Sequence, residues 1–309
     1  MASTTTFSRR SFLSLASALA LAPAVRAAQP FVRHGPPRLR LALAAYSFRD
    51  FFQDRPEGAP APAPGTRLLS LTDFLDFCAA HHCDGAELTA YYFPREVRES
   101  FLLELRRHAF LRGVSLSGTA VGNTFTPPPG PRRDREIAHV KQWIEHARVL
   151  GAPHLRVFAG NAGGSEPAEA RRRCIEALED CAESAARAGV FLGIENHGGI
   201  VAEAGDLLDI VRAVRSPWVG INLDTGNFHT PDPYADLARC APYAVNVQWK
   251  VEIRRRGARP EPVDGPRVAR ILADAGYQGW VALEYESAED PFVAVPRHLD
   301  TLRHLLRLE

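Results

Sequence analysis

Between Leu39 and Leu308 the chain alternates short, apolar, β-prone runs with longer stretches of helical periodicity, and few folds accept that rhythm. Eight runs read as strands: 39–48, 85–89, 114–121, 154–158, 190–195, 218–223, 243–250 and 280–285. Helical spacing marks 70–82, 95–112, 134–150, 167–188, 203–214, 266–275 and 292–308. In the first of these helices Leu71, Phe74, Leu75 and Cys78 share a face, and Thr72 is the expected cap. Strands alternating with helices mean a parallel sheet. Eight such units over about 270 residues suit an α/β fold, a closed (β/α)8 barrel forming a single domain. The competing arrangement, an open doubly wound sheet, calls for a Gly-rich phosphate turn after its first strand. The segment AAYSFRDF is not such a turn, and no GxGxxG or Walker A pattern occurs in the chain.

The residues before the first strand divide into an expected signal peptide, 1–28, and a Pro-rich extended linker, 29–38, leaving 39–309 for the barrel. Ser8-Arg9-Arg10-Ser11-Phe12-Leu13 is a twin-arginine pattern, followed by an apolar run to about Val25 and small residues at Ala27 and Ala28. The run is too short for a comfortable membrane span, and the arginines stand where an export receptor reads them. The expectation is twin-arginine export, cleavage near Ala27 or Ala28, no stable membrane span, and a periplasmic or otherwise exported protein. A net charge of +1 gives no footprint for nucleic acid or an anionic membrane. The five cysteines form no CxxC pair, and their odd number argues against a disulfide framework, so they read as structural.

The chemistry is expected at the strand ends. VFLGIENHGG (190–199) is an apolar run that stops abruptly at Glu195, Asn196 and His197, followed by two glycines. WVGINLDTGNF ends at Asp224, YAVNVQWK carries Gln248 and Lys250, and WVALEYES ends at Glu284. Side chains at the carboxyl ends of barrel strands converge on one pocket. Three carboxylates gathered there repel one another unless a cation or protons compensate, and a divalent metal is the economical solution. An all-oxygen donor set, Glu195, Asp224, Gln248 and Glu284, favours Mn²⁺, Mg²⁺ or Co²⁺ over zinc, with Mn²⁺ the first expectation.

Over about 39–308 the chain resembles the xylose-isomerase-like TIM-barrel family of sugar (phosphate) isomerases and epimerases, through GIENHGG, NLDTGNF, the VQWK strand and ALEYES. The resemblance implies one divalent metal held by Glu195, Asp224 and Glu284. Where the family usually has a His on strand seven, this chain has Gln248, which replaces a basic nitrogen by an amide oxygen. It further implies Glu195 and Glu284 as the acid–base pair that exchanges a proton beside a carbonyl through an enediolate. His197 would orient substrate or move a proton. Asn227, where relatives often have a substrate-facing His, would bind hydroxyls.

Tyr46, Glu87, Asn123, Arg156, Asn227 and Lys250 are the expected substrate-binding residues, with Phe48, Tyr92, Phe158 and Trp249 as stacking surface. Arg254–Arg256 reads as a solvated loop. The expected partner is a small sugar or sugar derivative. The first expectation is an isomerase or epimerase; the alternatives are a lyase or hydrolase-type enzyme eliminating an aglycone from a 3-keto-glycoside, and a non-catalytic exported sugar-binding barrel.

Overall fold

In the computed structural model, which describes residues 28–306, the alternation closes on itself. Strands β1 (Leu39–Ala44), β2 (Gly85–Thr89), β3 (Ser115–Ala120), β4 (His154–Val157), β5 (Phe191–Glu195), β6 (Val219–Asp224), β7 (Ala244–Trp249) and β8 (Gly279–Leu283) form one parallel barrel in chain order. The seam is β8 against β1, where Leu41 pairs with Val281 and Leu43 with Leu283. That pairing rules out the open sheet. Period-two alternation then sorts the side chains. Leu41, Leu43, Val281 and Leu283 belong to the large core shared with the helices, whereas Ala42, Ala44, Trp280 and Ala282 form a separate small cluster.

Helices α1 (Leu71–Ala80), α2 (Glu99–Leu111), α3 (Pro131–Leu150), α4 (Pro167–Ala188), α5 (Ala204–Ala213), α6 (Pro233–Cys240), α7 (Gly265–Asp274) and α8 (Pro291–Leu305) link the strands and close the chain. The cap of α1 is Ser70 rather than Thr72: its hydroxyl accepts from the Asp73 amide, and the Asp73 side chain reaches back to the Ser70 amide, a complete capping box. Helix α3 starts three residues ahead of the sequence expectation, because Pro131 at its first position loses no hydrogen bond. Helix α6 was not legible from periodicity. It has only eight residues, and its marks are the Asp232 cap on Ala235 and Pro233 behind it.

The signal peptide falls outside the described residues as far as Ala27. Among the described residues no helix is long and apolar enough to cross a membrane. Ala28, expected as the last residue of the signal peptide, is buried with its amide on Val214 O, and the segment expected as a linker is docked after it: the Phe31 amide donates to Pro242 O, and Phe31 packs edge-on against Phe191. All three partners sit at or just before the starts of β5, β6 and β7, so the segment covers the amino-terminal mouth of the barrel. All five cysteines are free and buried.

Candidate active site

The opposite mouth is built by the loops that leave β5 and β6. Asn196, fully buried, splints the two strands: its Nδ2 donates to Asp224 O and its Oδ1 accepts from the Asp224 amide, both at 2.9 Å. Asn196→Ala leaves two buried backbone groups unpaired and is expected to lower stability by about 1–3 kcal/mol, read from the denaturant midpoint. The glycine pair after His197 has a steric reason. Gly199 lies at φ +57°, and a Cβ there would stand 2.4 Å from Gly160 O, so only glycine lets this loop approach the one after β4.

Glu195 ends β5 buried and fully engaged. Arg156 Nε lies 3.0 Å from its Oε2, while its Oε1 faces His197 Nδ1 at 2.8 Å and accepts from Asn227 Nδ2 at 2.9 Å. Burial works against the Glu195 charge, but Arg156 and His197 outweigh it and hold the carboxyl below its ordinary range. His197 is exposed, packs its ring 4.5 Å from the Phe158 ring, and is raised above the usual histidine range by the Glu195 hydrogen bond.

The second half of the site is organised by Lys250, just past β7. Its Nζ lies 2.5 Å from Glu284 Oε1, 2.6 Å from Glu286 Oε2 and 3.3 Å from Asp224 Oδ2. The backbone holds it there, since the Lys250 amide donates to Thr225 Oγ1 at 2.8 Å. Burial and neighbouring carboxylates push Asp224 up to about 6 and Glu284 to about 8, against the pull of Lys250. Four carboxyl groups, Glu195, Asp224, Glu284 and Glu286, thus face Arg156, Lys250 and His197. Asp224 Oδ2 is buried and receives no hydrogen bond. The pocket offers carboxylate oxygens of the kind a hard divalent cation takes, but that Asp224 oxygen already faces Lys250. Among the described residues no three His, Cys, Asp and Glu side chains are set to hold a metal as they stand. The acids are divided between the two basic side chains, and an ion would have to share Asp224 and Glu284 with Lys250.

Below the mouth lies a polar layer with no counterpart in the sequence expectations. Asn222 donates to Gln248 Oε1 (2.6 Å), Gln248 Nε2 to Glu87 Oε1 (2.6 Å), and Asn246 Nδ2 to both Glu87 Oε2 (2.7 Å) and Asn222 Oδ1 (2.8 Å). Two expectations change here. Gln248, expected as the fourth oxygen ligand, has both ends of its amide committed to the barrel interior. Glu87, expected to bind substrate, is fully buried at mid-strand and feeds that interior network. Asn222 and Asn246 had a legible signal, for each stands two residues before a residue already singled out and so shares its strand face.

The remaining expected residues divide between the cleft and the core. Asn123 uses its amide as a clamp on the Phe158 backbone, donating to O and accepting from N at 2.9 Å. Tyr46, on the turn after β1, is half-buried against Tyr91, and burial followed by the Glu286 charge raises its hydroxyl above the usual range. Of the four stacking candidates only Phe158 reaches the cleft, beneath the Arg156 guanidinium at 4.0 Å. Phe48, Tyr92 and Trp249 are buried core, Phe48 packing on Phe74 and Phe77 and Tyr92 stacking on Phe52. Arg255 pairs with Glu261 and Arg256 with Glu203, so the basic loop is tied down by ion pairs. Glu286, an exposed third carboxylate on Lys250, was missed although it lies two residues beyond Glu284.

Two of the cavities at this mouth flank His197 and Asn227. One, about 290 Å³, is bounded by Asn227, His229, Lys250, Arg254 and Glu286. The other, about 360 Å³, lies between the loops after β3 and β4 and is bounded by Thr126, Arg132, Phe158, Asn161 and His197.

A closed parallel barrel with this carboxylate-lined mouth is the architecture of a known class, and the chain belongs to the xylose isomerase-like TIM barrel family, whose model matches residues 75–305. It is 28% identical over 199 residues to the rhizopine catabolism protein MocC of Rhizobium meliloti, covering 53% of this chain and 60% of that one. The chain spans about three fifths of the length of the curated relatives it matches. Among solved structures it is similar to D-psicose 3-epimerase from Clostridium cellulolyticum H10, with a TM-score of 0.69 at 15% identity over 86% of this chain and 99% of that one. The 3-keto-D-glucoside 4-epimerase of E. coli superimposes with a TM-score of 0.64 at 15% identity, over 86% of this chain and all of that one. These structures share the barrel fold of the chain.

Proposed function

We propose that the protein is a divalent-metal-dependent enzyme that exchanges a proton on a sugar carbon beside a carbonyl, as an isomerase or epimerase. The observation that carries this reading is the pair of buried glutamates, Glu195 and Glu284, at one mouth but on strands separated by β6 and β7, each anchored by its own cation. Two carboxyl groups placed apart around one cleft can take a proton from a carbon and return it. Arg156 holds Glu195 from below, while His197 and Asn227 fix its other oxygen. Asn227 and His197 meet the substrate hydroxyls at the cleft surface, and Lys250 keeps Glu284 oriented while its ammonium faces developing negative charge. Glu195, Asp224 and Glu284 would hold the metal, Mn²⁺ first among Mn²⁺, Mg²⁺ and Co²⁺. Bound there, a divalent cation supplies Lewis-acid polarisation of the substrate carbonyl.

A second reading, elimination of an aglycone from a 3-keto-glycoside, begins with the same proton abstraction and is favoured by the cavity that continues past His197. An exported location rests on the Ser8–Leu13 motif alone.

The test is solvent deuterium uptake, followed by NMR, into D-fructose, D-psicose and 3-keto-glucose. Uptake that falls at least tenfold with chelator and returns with Mn²⁺ is the expected result. Uptake unaffected by chelation rejects the metal, and the absence of uptake into any of the three rejects the isomerase reading.

A further inference from the structure

We propose that the substrate carries a second hydroxylated ring, and that the cavity between the loops after β3 and β4 is the subsite for it. This rests on the proposed proton exchange at Glu195.

Three observations lead there. First, the two cavities lie on either side of one pair of side chains. His197 bounds one and Asn227 the other, the two side chains stand 3.3 Å apart, and both touch Glu195 Oε1. A ligand filling both chambers therefore passes over the His197–Asn227 pair, beneath which Glu195, the residue proposed to take the proton, is buried. Second, each chamber is near the lower end of the roughly 300–1,000 Å³ typical of small-molecule sites, so each suits one ring and the two together suit two joined rings. Third, the walls of the second chamber have the chemistry of a carbohydrate subsite. Thr126, Asn161 and Ser165 present hydroxyl and amide groups, Arg132 adds a guanidinium, and the Phe158 ring supplies an apolar face.

That chamber is also built rigidly where it meets the site. Asn123 clamps the Phe158 backbone, Arg156 lies over the Phe158 ring, and Arg173 ties Thr126 O to Ser165 Oγ. A phosphate would find only Arg132 among the guanidinium and ammonium groups of its wall, and that side chain is exposed. A neutral polyol ring matches the mixture of donors, acceptors and one aromatic face better than an anion does.

The experiment compares three probes, 3-keto-glucose, its 6-phosphate and 3-keto-cellobiose, by solvent deuterium uptake with the Mn²⁺-loaded protein. The expected result is a kcat/KM for the keto-disaccharide at least tenfold above the keto-monosaccharide, the gain lying in KM. In the double variant Arg132→Ala/Asn161→Ala, two exposed side chains whose loss leaves the melting temperature in place, that ratio falls toward one. Equal kcat/KM for mono- and disaccharide, or a preference for the phosphate, overturns the subsite while leaving the proposed reaction standing. No uptake from any probe overturns the reaction. Calorimetric titration of 3-keto-cellobiose then decides the subsite separately: binding weakened by the double variant supports it, and binding that is absent or unchanged overturns it.

Discussion

Glu195→Gln is expected to lower solvent deuterium uptake by about 10²–10⁴-fold, the range for loss of a positioned general base, while sugar affinity stays within a few-fold of wild type. The amide keeps the shape and can still accept from Asn227, so the hydroxyl-binding surface at His197 and Asn227 survives. What is lost is the basic oxygen, the charge opposite Arg156 and one charged oxygen of the proposed metal site, so uptake is compared at saturating Mn²⁺. Because that guanidinium is itself buried, the variant also measures how far Glu195 is structural. Glu284→Gln is the companion experiment. Its carboxyl faces Lys250 rather than Arg156, so an equal kinetic loss in both variants, with melting temperatures that differ, identifies a shared chemical role. A merely structural pair would lower affinity and melting temperature together and spare the turnover of molecules that remain folded. Full uptake in either variant would remove that glutamate from the mechanism.

Lys250→Met should have the largest effect on stability. The ammonium is buried and serves Asp224 and Glu284 at once, with Glu286 at the surface edge. Removing one partner of a buried ion pair leaves the other uncompensated and costs about 3–5 kcal/mol. The two acids already lie above their ordinary range with Lys250 in place, so without it they must take up protons or another cation. Methionine fills a similar volume, which keeps a packing defect from imitating the charge effect. Saturating Mn²⁺ is then expected to raise the melting temperature of Lys250→Met more than that of wild type, since the ion replaces the missing charge without competing for it. Bound ligand stabilises by RT ln(1 + [L]/Kd), so the same scans report the change in affinity. If Mn²⁺ shifts neither protein, Asp224 and Glu284 belong to Lys250 alone and the metal assignment fails.

The barrel was legible in the sequence because its cause is local. Eight apolar runs at regular spacing leave one economical closure, and Glu195, Asp224 and Glu284 interrupt those runs where a buried charge needs a reason. What could not be read were pairings between strands. Nothing in VQWK says that the Gln248 amide turns to Asn222 and Glu87, or that the head group reaching Asp224 is that of Lys250 although Gln248 is the residue in register with it; those choices depend on the stagger between β6 and β7, whose register shifts at Ile221/Asn222. The aromatics were ambiguous for a similar reason. Phe158 and Trp249 both occupy strand ends, but one faces the cleft and the other the outer core, a difference of one residue in phase. Helix α6 was missed because two turns are too few for periodicity to register.

The docked segment at Ala28–Phe31 settles where anything preceding it is attached. Val214, Pro242 and Phe191 fasten it across the amino-terminal mouth, whereas Glu195, Asp224 and Glu284 open at the carboxyl-terminal one. A leader, a tag or an immobilising tether joined ahead of Ala28 therefore begins at the far pole from the cleft. Polarity of this kind makes the amino-terminal side the natural handle for fixing the protein to a surface with its mouth facing the solvent.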